Sequence, residues 1–111
     1  MTKIAKKDAV LHERAGVKGW YYQFPEIEGG TTMAYAQFTG GYGERTVGNR
    51  ARIYYVLEGG GEFMLNGDKF PFKSGDAIAV PANSTYNFWP KGDAVKVLLV
   101  MELLDISKLP K

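Results

Sequence analysis

The stretch Arg52–Tyr86 reads RIYYVLEGGGEFMLNGDKFPFKSGDAIAVPANSTY. Its backbone signals follow one another closely. Ile53-Tyr54-Tyr55-Val56-Leu57 is β-branched, aromatic and apolar, and reads as a strand. It runs into Gly59-Gly60-Gly61, which tolerates positive φ and predicts a sharp reversal, with Glu62 to Leu65 as the returning strand. Asn66-Gly67 is the pair that a type I′ hairpin turn demands, because both residues accept left-handed angles. Lys69 to Phe72 alternates, with Pro71 marking an edge. Lys73 to Asp76 turns, Ala77 to Val80 is a strand, and Pro81 to Ser84 turns again. Tyr86 to Trp89 is a strand that Pro90 ends. Short strands separated this regularly by turn residues predict an all-β domain.

The flanks extend the pattern. Trp20 to Phe24 is β-prone and stops at Pro25, and Thr31 to Thr39 alternates before Gly40, Gly41 and Gly43. Residues 1–19 are read as a short strand or an ordered arm. Lys91-Gly92-Asp93 is read as a turn. Residues 94–103 contain good helix formers, but Val95, Val97 and Val100 favour a strand, which the architecture needs there. The tail from Asp105 is polar, and there is no repeat or linker. One domain, 1–111, is expected, with a barrel over about 31–104 and an N-terminal arm or strand over 1–30.

Composition narrows the function classes. The 45% hydrophobic and 23% charged content is that of a globular chain. A net charge of +2, with Asp8 and Glu13 breaking up Lys3, Lys6 and Lys7, argues against a nucleic-acid surface. The longest apolar run, Val97 to Met101, is too short to cross a membrane. No apolar segment follows the N-terminal lysines, so a cytoplasmic protein without a secretory signal is expected. Cysteine is absent, which removes disulfide and thiol chemistry, and His12 is the only histidine.

The punctuation of this stretch resembles the cupins, small β-barrels of the jelly-roll, or double-stranded β-helix, type. The first cupin motif, a glycine, two histidines, a glutamate and a closing glycine, lies without a gap on Gly40, Thr46, Gly48, Arg52 and Gly59. The second, a glycine, a Pro-x-Gly, a histidine and an asparagine, lies on Gly75, Pro81, Asn83, Tyr86 and Pro90. The resemblance covers Thr31 to Val100 and implies a single-domain cupin barrel. In metal-binding cupins the histidines and the glutamate hold the ion. Here those places carry Thr46, Gly48, Arg52 and Tyr86, none a usual ligand for a transition metal. No metal, no cofactor and no metal-dependent oxygenase chemistry are therefore expected, and no catalytic residue is assigned.

If the cupin register holds, the former ligand positions point into the barrel. Alternation then turns Arg52, Tyr54 and Val56 inward, with Ile78, Val80, Tyr86, Phe88, Val97, Leu99 and Met101. Tyr35 and Gln37 are read as joining them. The candidate ligand-binding set is Arg52, Tyr54, Tyr86, Phe88, Tyr35, Gln37 and Thr46: apolar walls with a few polar groups. A cation inside a barrel needs a carboxylate, a carbonyl set, a wet mouth or an anionic ligand. For Arg52 that partner is either a ligand anion or an internal glutamate, Glu44, Glu58 or Glu102. Tyr54 and Tyr86 either donate hydrogen bonds to a ligand or fill the space of the missing metal. Ser84 has no histidine partner for nucleophilic catalysis, and His12 is read as a surface residue.

Three functions stay open. The first is metal-free binding of a small, anionic or aromatic ligand. The second is a metal-independent sugar isomerase or epimerase, which would need a barrel carboxylate as base. The third is an interaction module whose barrel is filled. Outward-facing Ile53, Tyr55 and Leu57, together with Trp20, Tyr21 and Tyr22, lead us to expect a homodimer.

Overall fold

The computed structural model describes residues 3–14, 16–27, 29–39, 45–48 and 50–103. A single turn of 3-10 helix, Lys6–Asp8, precedes eight strands: β1 (Val10–Arg14), β2 (Val17–Phe24), β3 (Thr31–Phe38), β4 (Arg45–Thr46), β5 (Arg52–Leu65), β6 (Asp68–Lys73), β7 (Ala77–Val80) and β8 (Thr85–Glu102). All pairings are antiparallel, in the order β1-β2-β3-β8-β5-β6, with β4 on β8 and β7 on β5. The expected cupin-type barrel is the architecture found. Residues 1–19 contain strand β1, and residues 94–102 are extended throughout. The tail from Asp105 and the glycines at 40, 41 and 43 lie outside the described residues.

Two expected breaks are absent. Gly59-Gly60-Gly61 makes no reversal, because β5 runs through it and pairs with β6 on one side and β8 on the other. The glycines serve close approach instead. A Cβ at Gly60 would lie 2.7 Å from the Phe72 carbonyl oxygen, and one at Gly61 would collide with the Trp89 carbonyl oxygen. Gly59 has φ +86, and a Cβ there would meet the Ala94 carbonyl oxygen at 2.5 Å. Likewise Pro90 does not end a strand, and Lys91-Gly92-Asp93 is not a turn between strands. β8 continues from Thr85 to Glu102. Pairing with β5 jumps from Gly60↔Lys91 to Glu58↔Lys96, so the extra residues of β8 form an irregularity. Such a bulge bends a strand without ending it, and two long bent strands curl the sheet.

The Asn66-Gly67 turn is as expected, with φ of 49 and 89 between Leu65 and Asp68. Asn66 also ties the hairpin to the next loop. Its Nδ2 donates to Ser84 Oγ at 3.2 Å, and its Oδ1 accepts from the Thr85 N–H at 2.9 Å. Buried Ser84 is thus a structural hydroxyl. Pro71 sits on β6, which ends the sheet path and so needs no second partner for its missing N–H.

The inward parity of the barrel strands is as read. Tyr54, Val56, Ile78, Val80, Tyr86, Phe88, Val97, Leu99 and Met101 are all buried, while Ile53, Tyr55 and Leu57 are exposed. Phe63 centres the core. Its ring lies nearly parallel to those of Tyr86 and Phe88, each 5.9 Å away, and Phe88 meets Phe38 edge-on at 4.6 Å. Aromatic pairs at such separations add to what their burial contributes.

Candidate functional site

Cross-strand register shows where the polar side chains gather. Gln23 pairs with Thr32, Thr32 with Met101, and Arg52 with Val80. The Ile53↔Val100 pairing sets Arg52 beside Met101 and closes one row across the barrel. Thr32, Met101 and Val80 are buried, so the row faces inward, at the end of the barrel where β5 starts and β8 finishes. Thr32 Oγ1 donates to Gln23 Oε1. Arg52 Nη2 lies 3.5 Å from Glu102 Oε1, with side-chain exposures of 16% and 25%. The internal glutamate anticipated for Arg52 is thus Glu102. The cation sits at the rim of the barrel, where some water reaches it.

The two phenols meet deeper in. Tyr54 Oη donates to Tyr86 Oη at 2.9 Å, and both side chains are buried. β4 pairs with the start of β8 so that Arg45 opposes Tyr86 and Thr46 opposes Thr85. Below the phenols the interior is apolar. A cavity of about 10 Å³ remains between Tyr54, Val56, Phe63, Phe72 and Phe88. That is about room for one water, with no polar group to hold it.

Three of the expected site residues lie elsewhere. Thr46 is exposed, 3.4 Å from the Thr85 hydroxyl, and Arg45 takes the register position opposite Tyr86. Tyr35 and Gln37 are on the outer face of β3, because Thr32, Ala34, Ala36 and Phe38 are the buried set. Small alanines face the core where strands converge, and the larger polar residues are left outside. Gln37 Nε2 donates to Tyr35 Oη at 3.1 Å. The Tyr35 ring stacks on Trp20 at 5.4 Å, under the amine of Lys6. Tyr21 packs against the core, and half-buried His12 sits near it, ring to ring at 6.4 Å. Sequence reading missed Gln23, Thr32 and Arg45. Period-2 alternation in β2 and β3 was the available signal, but its phase is set only by pairing.

The residues at the metal-ligand places do not suit an ion. Thr46 and Gly48 are exposed, Arg52 is a cation paired with Glu102, and Tyr86 is a buried, hydrogen-bonded phenol. Among the described residues no group of three or more His, Cys, Asp or Glu side chains converges. The backbone of the motifs is nevertheless retained. Val47 N–H donates to the Ser84 carbonyl and Asn83 N–H to the Gly48 carbonyl, each at 2.8 Å. Asn83, at φ 62, occupies the left-handed place of the motif glycine, a conformation asparagine tolerates.

A profile of the cupin domain matches residues 40–102. The chain belongs to the cupin family. Several solved cupins share its fold. A Streptomyces PAC13 variant with uridine superposes with a TM-score of 0.78 at 19% identity, over 93% of this chain and 82% of that one. KdgF from a Halomonas species gives 0.77 at 16% identity, over 95% and 97%. A predicted oxalate decarboxylase from Thermotoga maritima gives 0.76 at 19% identity, over 93% and 100%. At these identities the likeness is one of fold. No curated protein matches the sequence. No helix among the described residues is long and apolar enough to cross a membrane.

The phenol pair in this cupin gives a direct test of packing. A double-mutant cycle on Tyr54→Phe and Tyr86→Phe should return a coupling of about 1 kcal/mol in urea unfolding, the ordinary worth of one buried hydrogen bond. A coupling near zero would mean that the hydroxyls do not meet.

Proposed function

We propose that this cupin binds a small anionic molecule without a metal, at the polar end of its barrel, with Arg52 as the principal contact. The observation that supports this reading is the segregation of polar groups. Gln23, Thr32 and Arg52 share one inward row at the rim, with Glu102 beside them, above an interior lined mainly by apolar and aromatic side chains, half-buried Arg45 opposite Tyr86 excepted. Apolar walls with a few oriented polar groups are the general make-up of small-ligand sites. A guanidinium at a half-dry rim is suited to a carboxylate or phosphate, which it can meet with two parallel hydrogen bonds. The Tyr54–Tyr86 pair floors the site and confines a ligand to the rim.

A ligand screen by thermal shift tests it, using carboxylates, sugars, sugar phosphates and nucleosides. The nucleosides are included because one fold neighbour was solved with uridine. Stabilisation by an anionic compound, lost on replacing Arg52, is the expected result. Failure of every anionic compound to stabilise the protein counts against the reading. Isomerase or epimerase chemistry has less support. Among the described residues Glu102 is the carboxylate at this end, and its Oε1 is engaged by Arg52.

A second reading, a filled barrel acting as an interaction module, is favoured by the 10 Å³ interior cavity and by the outer face. Register lines up Met33, Val100 and Ile53 in one outward row and Tyr35, Leu98 and Tyr55 in the next. Such a continuous apolar sheet face suits a homodimer. The expected outcome is a dimer mass by sedimentation at micromolar protein, shifted toward monomer by Tyr55→Lys. A monomer for the unaltered chain would remove this reading.

A further inference from the structure

Arg45 is a second half-buried cation at the polar end of the barrel, and the anion-binding reading has so far made no use of it. Its strand, β4, is only two residues long, yet the pairing fixes where the side chain goes. Arg45 stands directly opposite Tyr86. Directly opposed residues of an antiparallel pair put their side chains on one face of the sheet. Tyr86 is buried, so Arg45 turns inward with it. Parity along the chain agrees, because Thr46 is exposed and Val47 is buried again. The Nε atoms of Arg45 and Arg52 are both buried, so both side chains run into the barrel mouth rather than along the surface.

The phenol pair places the two arginines relative to each other. Arg52 stands two residues before Tyr54 on β5, on the same inward face. Tyr54 and Tyr86 meet through their hydroxyls at 2.9 Å. Arg45 is thus the cross-strand neighbour of one tyrosine, and Arg52 the next inward residue along the strand from the other. The opposite direction, from Tyr54 to Val56 and from Tyr86 to Phe88, leads to the apolar interior, where only about 10 Å³ is open. Two guanidiniums drawn toward one half-dry place repel each other more than they would in water. An anion that meets both offsets that repulsion. One guanidinium suffices for a carboxylate. Two around one point match a single group with two charges and three acceptor oxygens, which is a phosphate monoester. Building on the reading that Arg52 binds an anion at this rim, we propose that the ligand is a phosphate monoester held between Arg52 and Arg45, and that Arg45 sets the preference for the doubly charged group. The phosphate enters first and rests above the Tyr54–Tyr86 floor. The organic part of the ester points out of the barrel, because the interior below has no room for it.

Calorimetric titration of the intact chain with phenyl phosphate, phenyl sulfate and succinate tests this. At about pH 8, above the second phosphate pKa of about 6, phenyl phosphate is a dianion. Phenyl sulfate has the same shape and one charge, and succinate divides two charges between separate carboxylates. Phenyl phosphate should bind at least about tenfold more tightly than either, a difference of about 1.4 kcal/mol. Arg45→Met should bring phenyl phosphate and phenyl sulfate to within about twofold of each other, and Arg45→Lys, which keeps the charge but not the planar fork, should leave an intermediate preference. Arg52→Met should abolish binding of both. The comparison in the unaltered chain needs no variant, so it decides the matter even where a substitution prevents folding. Equal binding of phosphate and sulfate that is lost in Arg52→Met overturns this inference and leaves the anion-binding reading standing. An undiminished phosphate preference in Arg45→Met, or tighter binding of succinate than of phenyl phosphate, does the same. No binding of any of the three overturns the inference together with the reading on which it rests.

Discussion

Arg52→Met is expected to lower stability by about 2 kcal/mol and to abolish stabilisation by anionic ligands, and the double change Arg52→Met/Glu102→Met should separate these effects. Arg52 and Glu102 face each other at 3.5 Å, with side-chain exposures of 16% and 25%. Removing one member of a fully buried pair costs about 3–5 kcal/mol, because the remaining charge is left in low dielectric. Partial exposure and solvent screening reduce that here to about 2 kcal/mol. Replacing both members by apolar groups is commonly neutral or stabilising, so the double variant should regain most of the loss. Ligand binding behaves differently. An anion bound at about 100-fold its Kd stabilises by about 2.7 kcal/mol, which for a domain of this size is about 10 °C in Tm. That shift should vanish in the single and the double variant alike, because neither retains the guanidinium. A double variant with restored stability and an undiminished ligand shift would place the anion elsewhere. A single variant with unchanged stability would show that the Arg52–Glu102 pair contributes nothing to the fold.

Gly61→Ala should cost about 3 kcal/mol, the upper end for overpacking a closed site. The substitution needs no unusual backbone angle at this residue. The cost is steric, because the added methyl would enter the space of the Trp89 carbonyl oxygen and lie 3.1 Å from the Pro90 Cα. Both contacts are backbone of β8 and cannot rotate away. The comparison is Gly67→Ala, where φ is +89 but nothing lies within 4 Å of the added Cβ. Only the left-handed conformation is then charged, about 1 kcal/mol. Urea midpoints of the two variants at constant m-value measure the difference. A Gly61→Ala variant no less stable than Gly67→Ala would mean that β5 and β8 do not approach as described.

Gly61 also shows how far local sequence reaches. Three consecutive glycines have two physical uses, positive φ and the absence of a Cβ, and nothing in the string Glu58 to Glu62 tells them apart. Reading them as a reversal invoked the first use. In the fold only Gly59 of the three has positive φ, while Gly60 and Gly61 make room for the backbones of β6 and β8. Pro90 and Lys91-Gly92-Asp93 follow the same logic, since a bulge and a turn draw on the same residue types. Asn66-Gly67 was readable because its demand is internal to the turn. Two adjacent left-handed residues suffice, whatever packs around them.

The candidate site divides in the same way. Local residue types and spacing determined an all-β domain and the inward parity of Tyr54, Tyr86 and Phe88, and they carried the resemblance to cupins that implies the loss of the metal ligands at Thr46, Gly48, Arg52 and Tyr86. Alternation within a strand and the backbone needs of turns are short-range properties. Tertiary structure alone decided that Arg52 meets Glu102 rather than Glu58, whose carboxylate instead pairs with Lys96 at 3.0 Å. It also decided that Tyr54 donates to Tyr86, that Arg45 rather than Thr46 opposes Tyr86, and that Tyr35 and Gln37 face outward. Each of these depends on the register between strands far apart in the chain. A one-residue slip in register turns every side chain to the other face, so the placement of these groups is a property of the assembled sheet.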